Sequence, residues 1–352
     1  MIKEEILKAI KNNDTIENKD LSGIDLSYTD LTGGRFENVS FRGANLRGAN
    51  IQKTGFKSCD FSGACLDEIE LEKIIWNNIT LRRASLKRVK FHMCVLNGID
   101  FLEADFRKSV ISWSMLQNAN LERVPFENAI FEKVVMGGAN LKDADFTNAK
   151  LTKVTFNGAD LTGVNFKSAH LFKILFMECN LEGQDFSRIK FSQVNASKSN
   201  LKGADFTDSD ISFSLFQNAD LTDAVLQNVR GDSVMFKEAI LEGANLRGGF
   251  FTKSHFGEAK LPGADFSYAN LDHCFFTKAI CRGALFKNAN CQYADFSYAD
   301  LTGADFSNAN LFMARMHKSI EEHTIWSGAI KLLLRGEDKD LSEAEDWQSN
   351  IS

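Results

Sequence analysis

The sequence predicts an all-β solenoid, a fold in which the chain winds into a stack of short coils. The first observation is an apolar residue at every fifth position from Leu21 to Met316, without one insertion or deletion. Of these 60 positions, 25 are Leu and 25 are Phe; the small exceptions are Ala196, Gly231, Cys281 and Cys291. The second observation is a glycine that tends to recur after every fourth apolar position. A fixed repeat of this kind indicates one continuous core rather than two separate domains.

Each five-residue repeat can be numbered from its apolar residue, which we call the lattice position or position 0. Position −2 is small, position −1 is Asp or Asn, and positions +1 and +2 are polar or Gly, as in Ala159-Asp160-Leu161-Thr162-Gly163. A period of five fits neither a helix nor a flat strand, so the chain must turn after each short extended segment. We therefore expect positions 0 and −2 to form the core and the other three positions to face solvent.

The number of repeats in one coil follows from the glycines. In the series of positions 23, 43, 63 and onward, Gly occupies ten of fifteen +2 positions, and it occupies at most three in any other series. This concentration predicts one corner with a turn that needs a positive φ, as in a type II turn. Four five-residue repeats then make one coil, and the whole array makes about 15 coils.

The pattern resembles the pentapeptide-repeat family, and the resemblance covers about 300 of the 352 residues. It implies a right-handed quadrilateral parallel β-helix with one repeat on each face. We expect three segments: an N-terminal capping helix at 1–18, the pentapeptide-repeat β-helix at 19–316, and a helical C-terminal cap or dimerisation tail at 317–352.

Both ends of the chain have helix-like apolar spacing. Ile2, Ile6 and Ile10 share one face of a helix predicted over residues 1–13, which would cover the open end of the first coil. The spacing from His317 to Leu334 predicts a second helix, and a short acidic helix is expected at residues 342–347. This tail is interpreted as a cap or, alternatively, as a homodimer contact, because Trp is enriched at interface hot spots. The candidate dimer residues are Ile325, Trp326, Ile330 and Trp347.

The sequence predicts no catalytic, cofactor-binding or metal site, and hence no enzyme. Outward-facing histidines lie in different columns or on distant coils, so no two of them can cooperate; they are His92, His170, His255 and His273. The seven cysteines lack metal-type spacing and mostly replace small or apolar core residues, which suggests reduced structural thiols. Cys65 alone is expected to face outward.

One series of −1 positions carries apolar residues where the repeat otherwise has Asp or Asn. We call this series the apolar strip; its members are Ile75, Val95, Met115, Val135, Leu175, Leu215, Met235 and Phe275. Two interpretations remain open. Either this face tucks position −1 inward or packs these side chains along itself, or the strip is an exposed contact face for a partner or a second copy.

The function that we expect is a non-catalytic protein-interaction scaffold, plausible as a bacterial effector or a type VI secretion accessory. The alternative is a mimic of duplex DNA that binds DNA gyrase or topoisomerase, as in quinolone-resistance members of the family. A duplex carries one negative charge per about 1.7 Å, or on the order of 40 over a rod of roughly 70 Å. The chain has a net charge of −6, of which −4 lies beyond Met316, so the array nets only −2.

Partners other than proteins are not favoured by the composition. Basic residues at the corners are interpreted as solvated side chains or, alternatively, as contacts for an anionic partner, and direct nucleic-acid binding is not expected. The chain shows neither a signal peptide nor an apolar run of membrane-spanning length. A cytoplasmic location is therefore expected. This expectation is compatible with secretion by a route that needs no cleavable signal.

Overall fold

The structure is a computed structural model that describes residues 2–349, with side chains described through Glu345. It divides into two compact units, Met1–Asn180 and Leu181–Ser352. Each unit is a right-handed, four-sided parallel β-helix, as predicted. Consecutive coils pair in parallel at an offset of four repeats, for example Phe36 with Phe56 and Arg315 with Arg335. The predicted coil length is thereby confirmed.

Helix α1 (Ile2–Lys11) precedes the first coil of unit 1 and confirms the helix predicted over residues 1–13. Its apolar face is directed at the coil, where Ile6 is buried. The helix ends because Asn13 adopts a left-handed conformation with a φ of 59°. The backbone N–H of Asp14 then donates to the carbonyl of Ala9 over 2.9 Å, which closes a Schellman motif.

Short parallel strands mark one face of each coil in unit 1. Three of them pair in order: β1 (Thr15–Glu17), β2 (Arg35–Glu37) and β3 (Gly55–Lys57). Six more pair in order on the neighbouring face: β4 (Glu70–Glu72), β5 (Lys90–His92), β6 (Val110–Ser112), β7 (Ile130–Glu132), β8 (Lys150–Thr152) and β9 (His170–Phe172). Unit 2 contains β10 (Lys190–Ser192) and α2 (Lys339–Ser349). Its remaining coils are paired through single-residue bridges at position −1.

The core of each unit consists of the lattice residues and the small residues at position −2. Every lattice residue from Leu21 to Met316 is buried, as predicted. Aromatic rings on successive coils stack, and the centroids of Phe286 and Phe306 lie 4.5 Å apart with an interplanar angle of 5°. A Cβ at Gly231 would lie 3.0 Å from the ring of Phe251, so that ring already fills the space left by the glycine.

The corners of the coils share one backbone conformation. At Gly23 the φ is +70°, and the N–H of Ile24 donates to the carbonyl of Leu21, as in a type II turn. However, Lys53 and Arg83 adopt nearly the same φ, 58° and 57°, and so does position +2 at all four corners. The positive φ predicted for the glycine corner is therefore confirmed, but it is not confined to that corner. The left-handed conformation is required at every corner, and residues with side chains supply it more often than glycine does.

The solenoid continues past Met316, which corrects the predicted boundaries. Residues 317–335 form a further coil, in which Ile320, Ile325 and Ile330 bridge to the preceding coil. The helix predicted from His317 to Leu334 is therefore wrong. At the other end, pairing begins at Thr15 rather than at residue 19, so the array holds about one coil more than the 15 predicted.

The physical reason for this error is the position of the last coil. No later coil covers it, so its lattice positions can be polar, and Glu321 and Lys331 stand where apolar residues stand elsewhere. The short acidic helix expected at residues 342–347 is confirmed as the longer α2. Trp347 belongs to α2, but its side chain lies outside the described part of the chain.

Candidate functional site

The part of the apolar strip in unit 1 lies on the outer surface. Its residues continue the parallel ladder through position −1, where Ile75 pairs with Val95 and Met115 pairs with Val135. The exposed fraction is 64% for Ile75 and 37% for both Met115 and Leu175, whereas Val95 and Val135 are half-buried. The backbone register is thus regular, and position −1 is not tucked into the core. These side chains pack along the face and leave an apolar outer surface.

The part of the strip in unit 2 is similar but includes a histidine. Leu215 and Met235 are half-buried and adjacent in the ladder, and Phe275 is 39% exposed. The imidazole of His255 stacks on the ring of Phe275 with 4.3 Å between centroids. Partial burial lowers the pKa of His255, which favours the neutral ring. The strip in this unit is therefore uncharged at neutral pH from Leu215 to Phe275.

A corner column beside the strip carries exposed apolar side chains among its lysines, and the sequence interpretation missed them. The column occupies the position two residues before each strip residue, where polar residues were expected. Its exposed large apolar members include Met93, Trp113, Phe213 and Tyr293. Nζ of Lys133 lies 3.4 Å from the ring centroid of Trp113, so a cation covers part of this column in unit 1. The +2 positions were compared by column for glycine alone; comparing them for apolar residues as well would have revealed these side chains.

The candidate dimer residues Ile325, Trp326 and Ile330 lie in the last coil rather than on one helix. Ile325 is 48% exposed and Ile330 is 53% exposed, each on a different face of that coil. The ring of Trp326 stacks on Phe306 at 4.8 Å, and Nζ of Lys331 lies 3.8 Å from its centroid. Trp326 therefore closes the aromatic core of unit 2.

Helix α2 is fastened to unit 2 through one carboxylate. Glu345 accepts a hydrogen bond from Nζ of Lys318 at 2.7 Å and another from the hydroxyl of Tyr298. These two bonds lower the pKa of Glu345 to about 2. The buried His317 accepts the N–H of Asp338 at Nδ1 over 2.9 Å, just before the helix begins. The contacts hold α2 against the side of the last coils.

The basic cluster of unit 1 consists of Arg82, Arg83, Lys87, Arg88 and Lys90, and carboxylates on adjacent coils pair with it. Arg83 Nε lies 2.6 Å from Glu103, and Arg88 lies 3.2 Å from Glu68. Similar pairs are Arg82–Asp100, Lys87–Asp105 and Lys90–Glu70. Some of these carboxylates are shared, because Glu68 also pairs with Arg47 and Asp105 also pairs with Arg107. The pairing therefore offsets only part of the positive charge of this surface.

The outward histidines make contacts with neighbouring coils or neighbouring residues. His92 bonds to the hydroxyl of Ser112 at 2.8 Å, and His273 pairs with Asp272 at 2.9 Å. In the described part of the chain, no group of three His, Cys, Asp or Glu side chains could hold a metal ion. Aspartates at position −1 serve the backbone instead; Asp160 accepts the N–H of Thr162 at 3.1 Å.

The cysteines and the helices give little further information on function. Six thiols are buried and Cys65 is half-buried, as the sequence predicts. Burial raises the pKa of Cys65 and raises that of Cys179 to about 11, so both thiols are protonated at neutral pH. Neither helix described in the structure is long and apolar enough to cross a membrane.

Comparisons with known proteins agree with the fold. The family model described as pentapeptide repeats (8 copies) matches residues 20–57, 84–123, 214–252, 239–277 and 279–317. The model described as a pentapeptide repeat region matches residues 111–186 and 149–224. No curated protein matches the chain.

The similar solved structures include pentapeptide repeat proteins. HetL of Nostoc sp. strain PCC 7120, involved in heterocyst differentiation regulation, is 27% identical over 53% of this chain and 88% of its own, with a TM-score of 0.21. Trypsin-treated QnrB1, a plasmid-mediated fluoroquinolone resistance protein, is 21% identical over 59% and 89%, with a TM-score of 0.34. A protein from the Arabidopsis thaliana thylakoid lumen is 30% identical over 37% and 69%, with a TM-score of 0.17.

Proposed function

Because the chain belongs to the pentapeptide-repeat family, we propose that it is a non-catalytic scaffold that binds partner proteins through the apolar strip. The observation that carries the proposal is the exposure of Ile75, Met115 and Leu175 on the strip of unit 1. The aspartates that elsewhere occupy position −1 bond to their own turns, as Asp145 does to Thr147. The strip gives up these bonds and leaves apolar surface in water, which a bound partner would cover.

Photo-crosslinking tests the proposal directly. A photoreactive phenylalanine is introduced at Met115, and at Asn140 as a control, since Asn140 holds position −1 on a different face. In the native host we expect a discrete crosslinked adduct from position 115 and none from position 140. The double variant Met115→Asp and Leu175→Asp should fold normally and lose that interaction. Equal adducts from both positions would contradict the proposal.

The corresponding variants in unit 2 are Leu215→Asp and Met235→Asp. We expect them to weaken binding if the partner also contacts this unit, and size-exclusion chromatography with light scattering shows whether the partner is a second copy.

A homodimer through Ile325 and Ile330 is proposed separately, because both side chains are exposed in the last coil. The double variant Ile325→Asp and Ile330→Asp should then be monomeric. An unchanged mass would remove that contact.

We also propose a role as a bacterial effector or type VI secretion accessory, supported by the acidic tail beyond Arg335. Tagged protein should then reach the medium of a secreting host and not that of a secretion-deficient one.

The alternative, a DNA mimic directed at gyrase, has weaker support. Aspartates recur at position −1 on one face of the coils, but Asp105 pairs with Lys87 at 3.2 Å and Asp305 pairs with Lys287 at 3.1 Å. Such pairs cancel the charge that a mimic needs, so we expect no inhibition of gyrase supercoiling at micromolar protein.

A further inference from the structure

Two arginines lie side by side in unit 2. Arg315 and Arg335 occupy position −1 on consecutive coils and are paired in the parallel ladder. The ladder spacing of about 4.8 Å brings two like charges close together, which is unfavourable unless an anion lies between them. Ten of the fourteen arginines form a salt bridge to a carboxylate, but among the described side chains neither Arg315 nor Arg335 does.

These arginines line a shallow groove of about 330 Å³ that also contains aromatic rings. On one wall, the imidazole of His273 stacks on the ring of Tyr293 with 4.6 Å between centroids. The ring of Phe312 meets Tyr293 edge-on at 5.6 Å and fixes its orientation. Tyr293 is 41% exposed and Phe275 is 39% exposed, so apolar ring surface remains open to a ligand.

The acidic groups beside the groove are already engaged. Oδ1 of Asp295 accepts the N–H of Ser297 at 2.9 Å, within its own turn. Oδ2 of Asp272 lies 2.9 Å from Nδ1 of His273. Asp295 precedes Arg315 in the ladder, so an anion is repelled at that end of the groove and attracted at the end where Arg335 lies.

We propose that this groove binds ligands that join a planar aromatic ring to an oxyanion. Guanidinium groups present paired N–H donors that match the oxygens of a phosphate, and two of them side by side suit a dianion. The ring of the ligand would stack on Tyr293 and contact Phe275, as bases and aromatic side chains do on such platforms. The groove adjoins the apolar strip, with which it shares Phe275, but its ligand binding can be measured with the purified chain alone.

Phenyl phosphate is a suitable probe, with inorganic phosphate and phenol as comparators. Binding to the full chain is measured by calorimetry or NMR titration at low salt and a pH of about 7.5, where the phosphate is largely dianionic. We expect phenyl phosphate to bind more tightly than either comparator. Arg315→Gln and Arg335→Gln should each weaken phenyl phosphate binding at least about tenfold, since each removes a charge-assisted pair.

Two further variants make the test specific. Tyr293→Ala should weaken phenyl phosphate several-fold and leave inorganic phosphate unchanged, because it removes only the stacking surface. Arg42→Gln is the matched control, because Arg42 is an exposed arginine of unit 1 that is paired with Asp60 at 3.1 Å. It should bind both probes as the unmodified chain does.

The outcomes either support or overturn the proposal. Undetectable binding at millimolar phenyl phosphate, equal affinity for phenol, or unchanged affinity in both arginine variants would overturn it. If the probe binds as expected, a phosphotyrosine peptide and adenosine monophosphate are compared. Tighter binding of the peptide would indicate a phosphorylated partner protein, and tighter binding of the nucleotide would indicate a free metabolite. The result is independent of crosslinking at Met115.

Discussion

At the scale of single residues, the interior shows which small side chains the coil accepts. Ala is the commonest residue at position −2, but Ser209 and Ser214 occupy two of these positions and are both buried. The hydroxyl of Ser214 donates to the carbonyl of Phe191 at 2.9 Å and accepts the N–H of Val194 at 3.1 Å. The hydroxyl of Ser209 has no partner among the described residues. A buried polar group without a partner destabilises the folded state.

The two serines therefore predict opposite effects of the same substitution. Ser209→Ala should raise the free energy of unfolding by about 1–2 kcal/mol, because it removes an unsatisfied hydroxyl. Ser214→Ala should lower it by a similar amount, because it leaves the N–H of Val194 without its acceptor. Denaturant titration followed by circular dichroism measures both. A loss of stability in Ser209→Ala would show that its hydroxyl has a partner after all.

Single residues also show how far the sequence could predict the fold. The lattice was predictable because burial repeats at every fifth position, and the coil length was predictable because glycine tends to recur at every twentieth residue. The conformation of the corners was not, because Lys53 and Arg83 adopt the same positive φ as Gly23. Many residue types adopt the positive φ that a corner needs. The residue types found at a corner therefore do not reveal its backbone conformation.

At the scale of elements, the end of the array was the least predictable part. Trp326 lies at a lattice position, but Glu321 and Lys331 beside it are charged, so the apolar pattern stops one coil before the structure does. The strip was predictable because its −1 positions depart from the repeat signature. The corner column with Trp113 and Tyr293, and the groove beside Arg335, were missed. Both features form between residues that are 20 positions apart in the sequence and become neighbours on successive coils.

The attachment of α2 predicts a dependence on acid. The pKa of Glu345 is lowered from 4.5 to about 2 by Lys318 and Tyr298, so the folded state holds its proton less tightly than the unfolded chain. Its contribution is fully present above a pH of about 4.5 and is lost as the pH falls toward 2. We expect hydrogen exchange in α2 to lose protection across this interval, before the coils do.

Two variants separate this effect from general acid denaturation. Glu345→Gln should lose protection in α2 already at neutral pH and should show no further loss specific to α2 on acidification. Glu343→Gln is the control, since Glu343 is exposed on the same helix and makes no described side-chain contact with the coils. If Glu345→Gln retains full protection, the carboxylate does not hold the helix.

At the scale of the whole molecule, the reactivity of the cysteines shows whether a reagent in solution can reach the interior. Three buried thiols lie in unit 1 and three in unit 2: Cys59, Cys94, Cys179, Cys274, Cys281 and Cys291. Burial raises the pKa of each, which keeps them protonated and unreactive. We expect a thiol reagent at mildly alkaline pH to modify only Cys65 rapidly in the native protein and all seven cysteines after denaturation.

The variant Cys65→Ser provides the control for this measurement. It should remove the rapid reaction and leave the slow reaction of the buried thiols unchanged. Rapid modification of two or more cysteines in this variant would mean that the coils open far more readily than their packing indicates.

Because the spacing of the lattice is uninterrupted, the place of each residue in the core depends on the number of residues that precede it. Inserting or deleting a single residue within a unit would turn core residues outward in every following coil of that unit. Adding or removing one repeat would restore the core but rotate all later columns by one face, and would carry Phe275 and its neighbours away from the rest of their strip. Only a change of four repeats, one whole coil, preserves both the core and the faces. Such chains can therefore lengthen or shorten by whole coils while their surfaces keep their alignment.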